Sequence, residues 1–290
     1  MRLIETPLTE PLGRIMALPP GKELRLFWLG QAGFVIEGGG KRVVIDPYLS
    51  DSLAEKYRGK KFPHIRMMPA PVAPDGIGHV DLVLSTHAHT DHLDPGTLPV
   101  LLAANPEALL VAPRSARETA LNRTMIGPDR LMLIEAGETV EHAGIVVAAT
   151  RAAHEALERD ADGNHRFLGL GLKIAGKTIF HSGDTIPFEG QVAELRVLGA
   201  DLALFPVNGR DAERAANGVP GNMSMSEALE FSRAADIGTM IAHHFDMFSF
   251  NTVSRSEVEV LASLSTIPHA LAARTDVAYS LAPKPAEPAA

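Results

Sequence analysis

From Ser85 to His92 the chain reads Ser-Thr-His-Ala-His-Thr-Asp-His, which gathers the imidazoles of His87, His89 and His92 and the carboxylate of Asp91 directly after an apolar run. Neutral imidazole and carboxylate are the ligands that suit zinc and similar divalent ions. So many titratable groups at the end of a core strand cost stability unless a cation engages them. His87 and His89 are two apart, so both point to one face if the strand continues into them. Asp91 and His92 follow where the chain turns, and adjacent residues in a turn can be aimed at a second ion. A single zinc takes three protein ligands and keeps an open position, so this motif nearly fills one site, starts another, and needs ligands from elsewhere. Residues of the right type stand just beyond other apolar runs: His154 after Ala148-Ala149-Thr150, Asp184 in His181-Ser182-Gly183-Asp184, and His243 with His244 after Met240-Ile241-Ala242. Neighbours on a strand face opposite ways, so only one of His243 and His244 reaches the site. His181 either orients the Ser182-Gly183-Asp184 loop by a hydrogen bond or is structural. Gly183 lets the backbone approach closely or take positive φ.

The elements that must position these groups read mostly as strands. Leu24–Trp28, Gly33–Ile36 and Arg42–Ile45 form a meander, with Gly38-Gly39-Gly40 as a hairpin loop and not a phosphate cradle. Short branched runs follow at 81–85, 108–112, 131–134, 144–149, 168–174, 178–180, 202–205 and 239–242. Helical stretches lie between them. Ser224…Glu227 and Ser254…Glu257 both fit a capping box, in which hydroxyl and carboxylate satisfy the first free amides of a helix. The expected fold class is α/β (α+β): two packed sheets with helices outside, built as a single domain over 1–282, with the proline-rich 283–290 as a frayed tail.

Composition narrows the function classes. A 46% hydrophobic and 21% charged chain is that of an ordinary globular protein, and the lack of cysteine leaves histidine and carboxylate as the metal ligands. The first residues carry prolines and acids where a secretory signal needs a basic start and an apolar stretch, so a cytoplasmic location is expected. No apolar run approaches the roughly 20 residues of a membrane span, so no membrane association is expected. A net charge of −8 argues against nucleic-acid partners, which need a basic footprint. A homo-oligomer is compatible with the sequence.

The run His87-x-His89-x-Asp91-His92, then His154, then Ser182-Gly183-Asp184, then His244 resembles the metallo-β-lactamase superfamily. That resemblance implies a four-layer αββα sandwich with a metal site at one edge of the two sheets. Trp28-Leu29-Gly30-Gln31-Ala32-Gly33-Phe34 and the segments Met223-Ser224 and His244–Phe248 are similar to the opening and closing of the L-ascorbate-6-phosphate lactonase-like metal-dependent hydrolases. The resemblance implies His87, His89 and His154 on one metal, Asp91, His92 and His244 on the other, and Asp184 bridging them. It also implies Asp46 as a supporting first-motif aspartate and His243 as a packed or supporting neighbour. His154 departs from the lactonase's own pattern, so the chain looks more like the broader metal-hydrolase branch.

Two cations about 3.5 to 4 Å apart lower the pKa of a shared water, and the resulting hydroxide attacks a carbonyl or phosphorus. Asp91 and Asp184 would hold metal and accept a hydrogen bond from that hydroxide. Zinc is the expected metal, while the shared carboxylates also admit manganese or iron. Ser85 and Ser182 lack the base and orienting acid of a serine hydrolase. For an anionic small-molecule substrate, Arg166 in one turn and Asn208 with Arg210 in another are the candidate contacts, because arginine clamps phosphate or carboxylate by paired hydrogen bonds. The expected reaction is hydrolysis of a lactone or ester on a small sugar-like molecule, phosphorylated in one form. The alternatives are a phosphodiesterase on the same site, a β-lactamase, a di-iron redox centre, and a non-catalytic metal-binding module.

Overall fold

A computed structural model describes residues 1–282; the stretch 283–290, read above as a tail, lies outside the described residues. The chain begins with strand β1 (Arg2–Pro7), helix α1 (Leu12–Met16) and the meander β2 (Arg25–Gly30), β3 (Gly33–Gly38) and β4 (Lys41–Ile45). Helix α2 (Ser52–Lys56), β5 (Leu82–Leu84), α3 (Leu98–Ala104), β6 (Leu109–Pro113), α4 (Arg117–Thr124) and β7 (Leu131–Ile134) follow. Next come β8 (Thr139–His142), β9 (Ile145–Arg151), β10 (Leu168–Ile174), β11 (Lys177–His181), α5 (Gln191–Leu198), β12 (Leu202–Pro206) and α6 (Ala212–Ala216). The last described elements are α7 (Met225–Ala234), β13 (Thr239–His243), α8 (Arg255–Leu264), β14 (His269–Ala272) and β15 (Val277–Ala282).

The strands make two sheets, in the orders β1-β15-β2-β3-β4-β5-β6-β7 and β14-β13-β12-β11-β10-β9-β8. Each is half antiparallel and half parallel: β4 to β7 run parallel in the first, and β11 to β14 in the second. The parallel strands β5, β12 and β13 are buried at every position, as expected of strands covered on both faces, whereas β9 alternates toward solvent over its first half. Successive side chains divide between two apolar layers. Val43, Ile45 and Leu84 meet Leu170, Phe180 and Ile241 between the sheets, while Val44 and Val83 face Leu98 and Leu101 of the outer helix α3. On the other side α5 packs on β9, α7 on β12 and β13, and α8 on β14. The result is the expected αββα layering.

The expected hairpin loop between β3 and β4 is shorter than the glycine triplet: Gly38 closes β3, and Gly39 and Gly40, at φ +63° and +76°, make a two-residue turn. The first capping box forms, but the second does not: Ser254 Oγ pairs with Ser256 Oγ at 2.6 Å and leaves the helix amides uncapped by its side chain. Arg42 is fully buried; its Nε donates to Glu37 Oε1 at 2.9 Å and its Nη groups to the carbonyls of Met16, Leu18 and Gly78, tying α1 to the β3–β4 hairpin. Among the described residues no helix is long and apolar enough to cross a membrane.

Candidate metal centre

Strands β4, β5, β9, β11 and β13 all release their chains at one edge of the sandwich, and each release point carries a polar or titratable group: Asp46, His87 to His92, His154, Asp184 and His244. Carboxyl ends of strands are where α/β folds present ligand sites. The two sheets are joined at this edge: Leu168 N donates to Thr86 O at 3.1 Å, and His87 makes an isolated bridge with Phe167. Residues 97 positions apart in sequence, His87 and Asp184, thereby share one small volume.

Three overlapping groups of ligand atoms form there: His87, His89 and His154; His87, His92 and Asp184; and Asp91, His92 and His244, with the atoms of each group within 4.8 Å of one another. Asp184 stands at the centre, with Oδ2 3.4 Å from His92 Nε2 and 3.5 Å from His154 Nε2, and Oδ1 3.2 Å from His244 Nε2. Ligands about 2.1 Å from a tetrahedral ion lie roughly 3.4 Å from one another, so these spacings fit a shared cation. His87 Nε2, His92 Nε2, His244 Nε2 and Asp184 Oδ1 are buried with no hydrogen-bond partner, which is the condition a coordinated ion relieves.

The electrostatics agree with that fit. Burial, reinforced by the rings of His92 and His89, pushes His87 well below the usual histidine range, and burial beside His154 brings His89 down to about 4, so both present lone pairs at neutral pH. His89 is the most exposed of the set, and with Asp91, His154, Asp184 and His244 it lines the adjoining cavity. His92 goes the other way: burial opposes its charge, but Asp184, Asp46 and Asp91 outweigh that and raise it well above the usual value. Burial likewise works against ionised Asp184, yet His244 and His92 hold its carboxyl well below the carboxylate range. A field that holds a proton on His92 also attracts a cation.

The description "Beta-lactamase superfamily domain" matches residues 41–245, which contain every one of these groups. The chain belongs to the metallo-β-lactamase superfamily. Within it, the chain is 30% identical over 190 residues to a UPF0173 metal-dependent hydrolase of Saccharolobus solfataricus, a match covering 64% of this chain and 72% of that protein. A UPF0173 metal-dependent hydrolase of Thermoplasma acidophilum is 27% identical, with 83% of this chain and 92% of that protein covered. Among solved structures, a possible metal-dependent hydrolase of Veillonella parvula superimposes with a TM-score of 0.70 at 17% identity, covering 90% of this chain and all of that one, and so shares the fold.

Around the basket this superfamily member has a layer of orienting bonds. Asp46 accepts from Thr86 N at 2.8 Å on Oδ1, and from Thr86 Oγ1 at 2.6 Å and His92 Nδ1 at 2.7 Å on Oδ2. Because the Thr86 hydroxyl gives its proton to Asp46, it accepts from His87 Nδ1 at 3.0 Å, which turns Nε2 of both histidines inward: that of His87 as a lone pair, that of His92 as the position where a cation would take the place of the proton. His181 orients the Asp184 loop, accepting from Gly183 N at 3.0 Å on Nδ1 and donating to Ala32 O from Nε2. Gly183 needs to be glycine: its φ is +60°, and a Cβ would lie 2.7 Å from Leu168 O and 2.9 Å from Thr86. His243 is fully buried and packs edge-on against Phe34, facing away from the basket side of β13. Ser85 Oγ and Ser182 Oγ donate to the carbonyls of His87 and Gly183, and neither has a base.

Gln31 escaped the sequence reading. Held at φ +48° after β2, it donates from Nε2 to Asp91 Oδ2 at 2.8 Å, while its carbonyl accepts from His244 N at 3.0 Å and Trp28 Nε1 at 3.0 Å. It therefore ties two residues of one ligand group to the meander.

The basket opens into a cavity of about 960 Å³ lined by Gln31, Lys56, His64, Arg166, Phe248 and Phe250, among others. Of the three residues expected to contact substrate, Arg166 lines this cavity. Arg210 does not: its Nη1 and Nη2 donate to Glu227 at 2.7 and 2.6 Å, and it borders a smaller neighbouring cavity. Asn208 is fully buried, spends its amide on Asn251 and Asn222, and is not among the residues lining the cavity. His64, not singled out by the sequence reading, belongs to the aromatic wall of the cavity; nothing in its local sequence signals this.

Proposed function

We propose that this metal-dependent hydrolase holds two divalent cations between its sheets and cleaves a lactone or ester bond of a small anionic, sugar-like substrate. The observation that carries the reading is the convergence of His87, His89, Asp91, His92, His154, Asp184 and His244, with unpartnered inward-facing atoms, at the end of an open cavity. In the proposed arrangement His87, His89 and His154 would hold one cation and Asp91, His92 and His244 the other, with Asp184 as a ligand open to both. Zinc suits the imidazole-rich donor set, with manganese or iron as the alternatives its carboxylates admit. Divalent cations so held supply Lewis acidity and make water nucleophilic near neutral pH.

The chain's own part follows from its geometry. Asp91 accepts from Gln31 Nε2 on Oδ2, which leaves its Oδ1 as the carboxylate oxygen available to accept a proton from attacking water, while both oxygens of Asp184 face ligand nitrogens. Phe167, packed against His87, His89 and His154, limits solvent on that side of the site. The cavity admits a substrate of sugar size, and lysines and arginines on its wall favour a negative group.

The test is metal analysis of gently purified protein followed by assays on a lactone and ester panel beside a chromogenic phosphodiester. About two metal equivalents with turnover of lactones or esters is the expected result. Turnover of the phosphodiester alone would move the reading to a phosphodiesterase, and full metal content without turnover would make the centre a binding or structural site.

A further inference from the structure

Helix α2 ends on Lys56, whose Nζ stands 3.4 Å from Thr90 Oγ1, and Thr90 lies between His89 and Asp91. A cation is thus held at the lip of the metal basket. Lys41 and Lys177 are paired with Asp81 and Asp201, whereas Lys56 has no carboxylate within ion-pair distance among the described residues. Of the other cations lining the cavity, Arg123 donates to the carbonyls of Ala88 and Leu93, Lys61 to Asn217 Oδ1 and Arg166 Nε to the carbonyl of Arg159; Lys60 also lines it without an ion pair among the described residues, but Lys56 is the lysine held against the metal-ligand loop. An available positive charge facing inward is informative in a chain of net charge −8.

The same ammonium lies 5.3 Å over the Tyr57 ring, and Tyr57 stacks on His64 with centroids 4.2 Å apart. His64 continues the wall by edge contacts with Phe248 at 5.0 Å and Phe250 at 4.7 Å. Burial lowers the His64 pKa, so this ring is a neutral stacking surface and leaves Lys56 as the charge at that point.

We propose that Lys56 determines specificity by binding an anionic group, a carboxylate or a phosphate, on a substrate whose ring lies against Tyr57, His64, Phe248 and Phe250. The inference rests on the hydrolase reading for the orientation of the scissile bond, which then faces the metal ligands beside Thr90. An ammonium on a flexible stem serves as a point charge for either anion and does not demand the planar pairing that arginine imposes.

The metal-loaded protein and its Lys56→Met variant would be compared on matched aryl esters with and without a ring carboxylate or phosphate. The expected result is a rise of about ten- to a hundred-fold in KM for the anionic esters, the neutral ester unchanged, and partial rescue by Lys56→Arg. Equal effects on charged and neutral esters, or none, would overturn the proposal. A second arm measures equilibrium binding of phenylphosphonate and benzoate, neither of which is hydrolysed. Loss of either in Lys56→Met supports the subsite and tells which anion it takes; unchanged binding, or none by the unaltered protein, overturns it. Binding that depends on Lys56 without turnover of any ester would leave the subsite standing and reject the hydrolase reading.

Discussion

Asp46 fixes which nitrogen His92 and, through Thr86, His87 turn inward. Replacing it with alanine removes no proposed ligand, yet frees both rings to rotate. Asp46→Ala is expected to weaken metal affinity by about 10- to 100-fold, read by competition with a chromophoric chelator, with the fold retained by circular dichroism. The convergence of these histidines and aspartates was legible in the sequence because their residue types are rare together and stand at strand ends. Its helpers were not: Gln31 and Lys56 reach the site by side-chain directions that only the packed sheets define. Arg210 misled for the opposite reason. Its loop does lie near the site, but the Glu227 carboxylate that closes the α7 capping box captures its guanidinium.

That same carboxylate makes a prediction for an element. Glu227 is held below the usual glutamate range by Arg210, aided by the Ser224 amide, so the folded state favours its ionised form. A lowered folded pKa means that the stabilisation is full above the ordinary glutamate value and is lost as pH falls through the lower folded value. Glu227→Gln should therefore flatten the acid limb of stability measured by denaturant titration between about pH 5 and 3. The β3–β4 hairpin offers a larger effect. Glu37 and Arg42 are both fully buried, and removing the acid leaves an uncompensated charge, so Glu37→Ala should cost about 3–5 kcal/mol in chemical unfolding. Long apolar runs made β5, β10 and β12 readable in advance, but β1, β8, β14 and β15 were missed. Thr139–His142 alternates with charge and is only half-buried, and His269–Ala272 is mostly alanine, which favours no strand by itself.

Across the whole molecule the proposed ligands come from both sheets, so a bound cation couples their docking to its own affinity. Anything that binds only the folded state stabilises it, by about 2.7 kcal/mol at a concentration a hundred times its Kd. Chelation should lower the melting temperature by roughly 5 to 10 °C in calorimetry, and re-addition of metal should restore it. The two-sheet layout was legible as a β-rich order with helices between, whereas the order of strands was not, because pairing partners far apart in sequence leave no local trace. The place of β15 is the plainest case: it lies between β1 and β2, and so inserts into the sheet begun by the first residues. During synthesis on the ribosome, the backbone of Arg25–Gly30 lacks that neighbour until residues 277–282 emerge, so until then the nascent chain carries an unpaired sheet edge of the kind that invites aggregation.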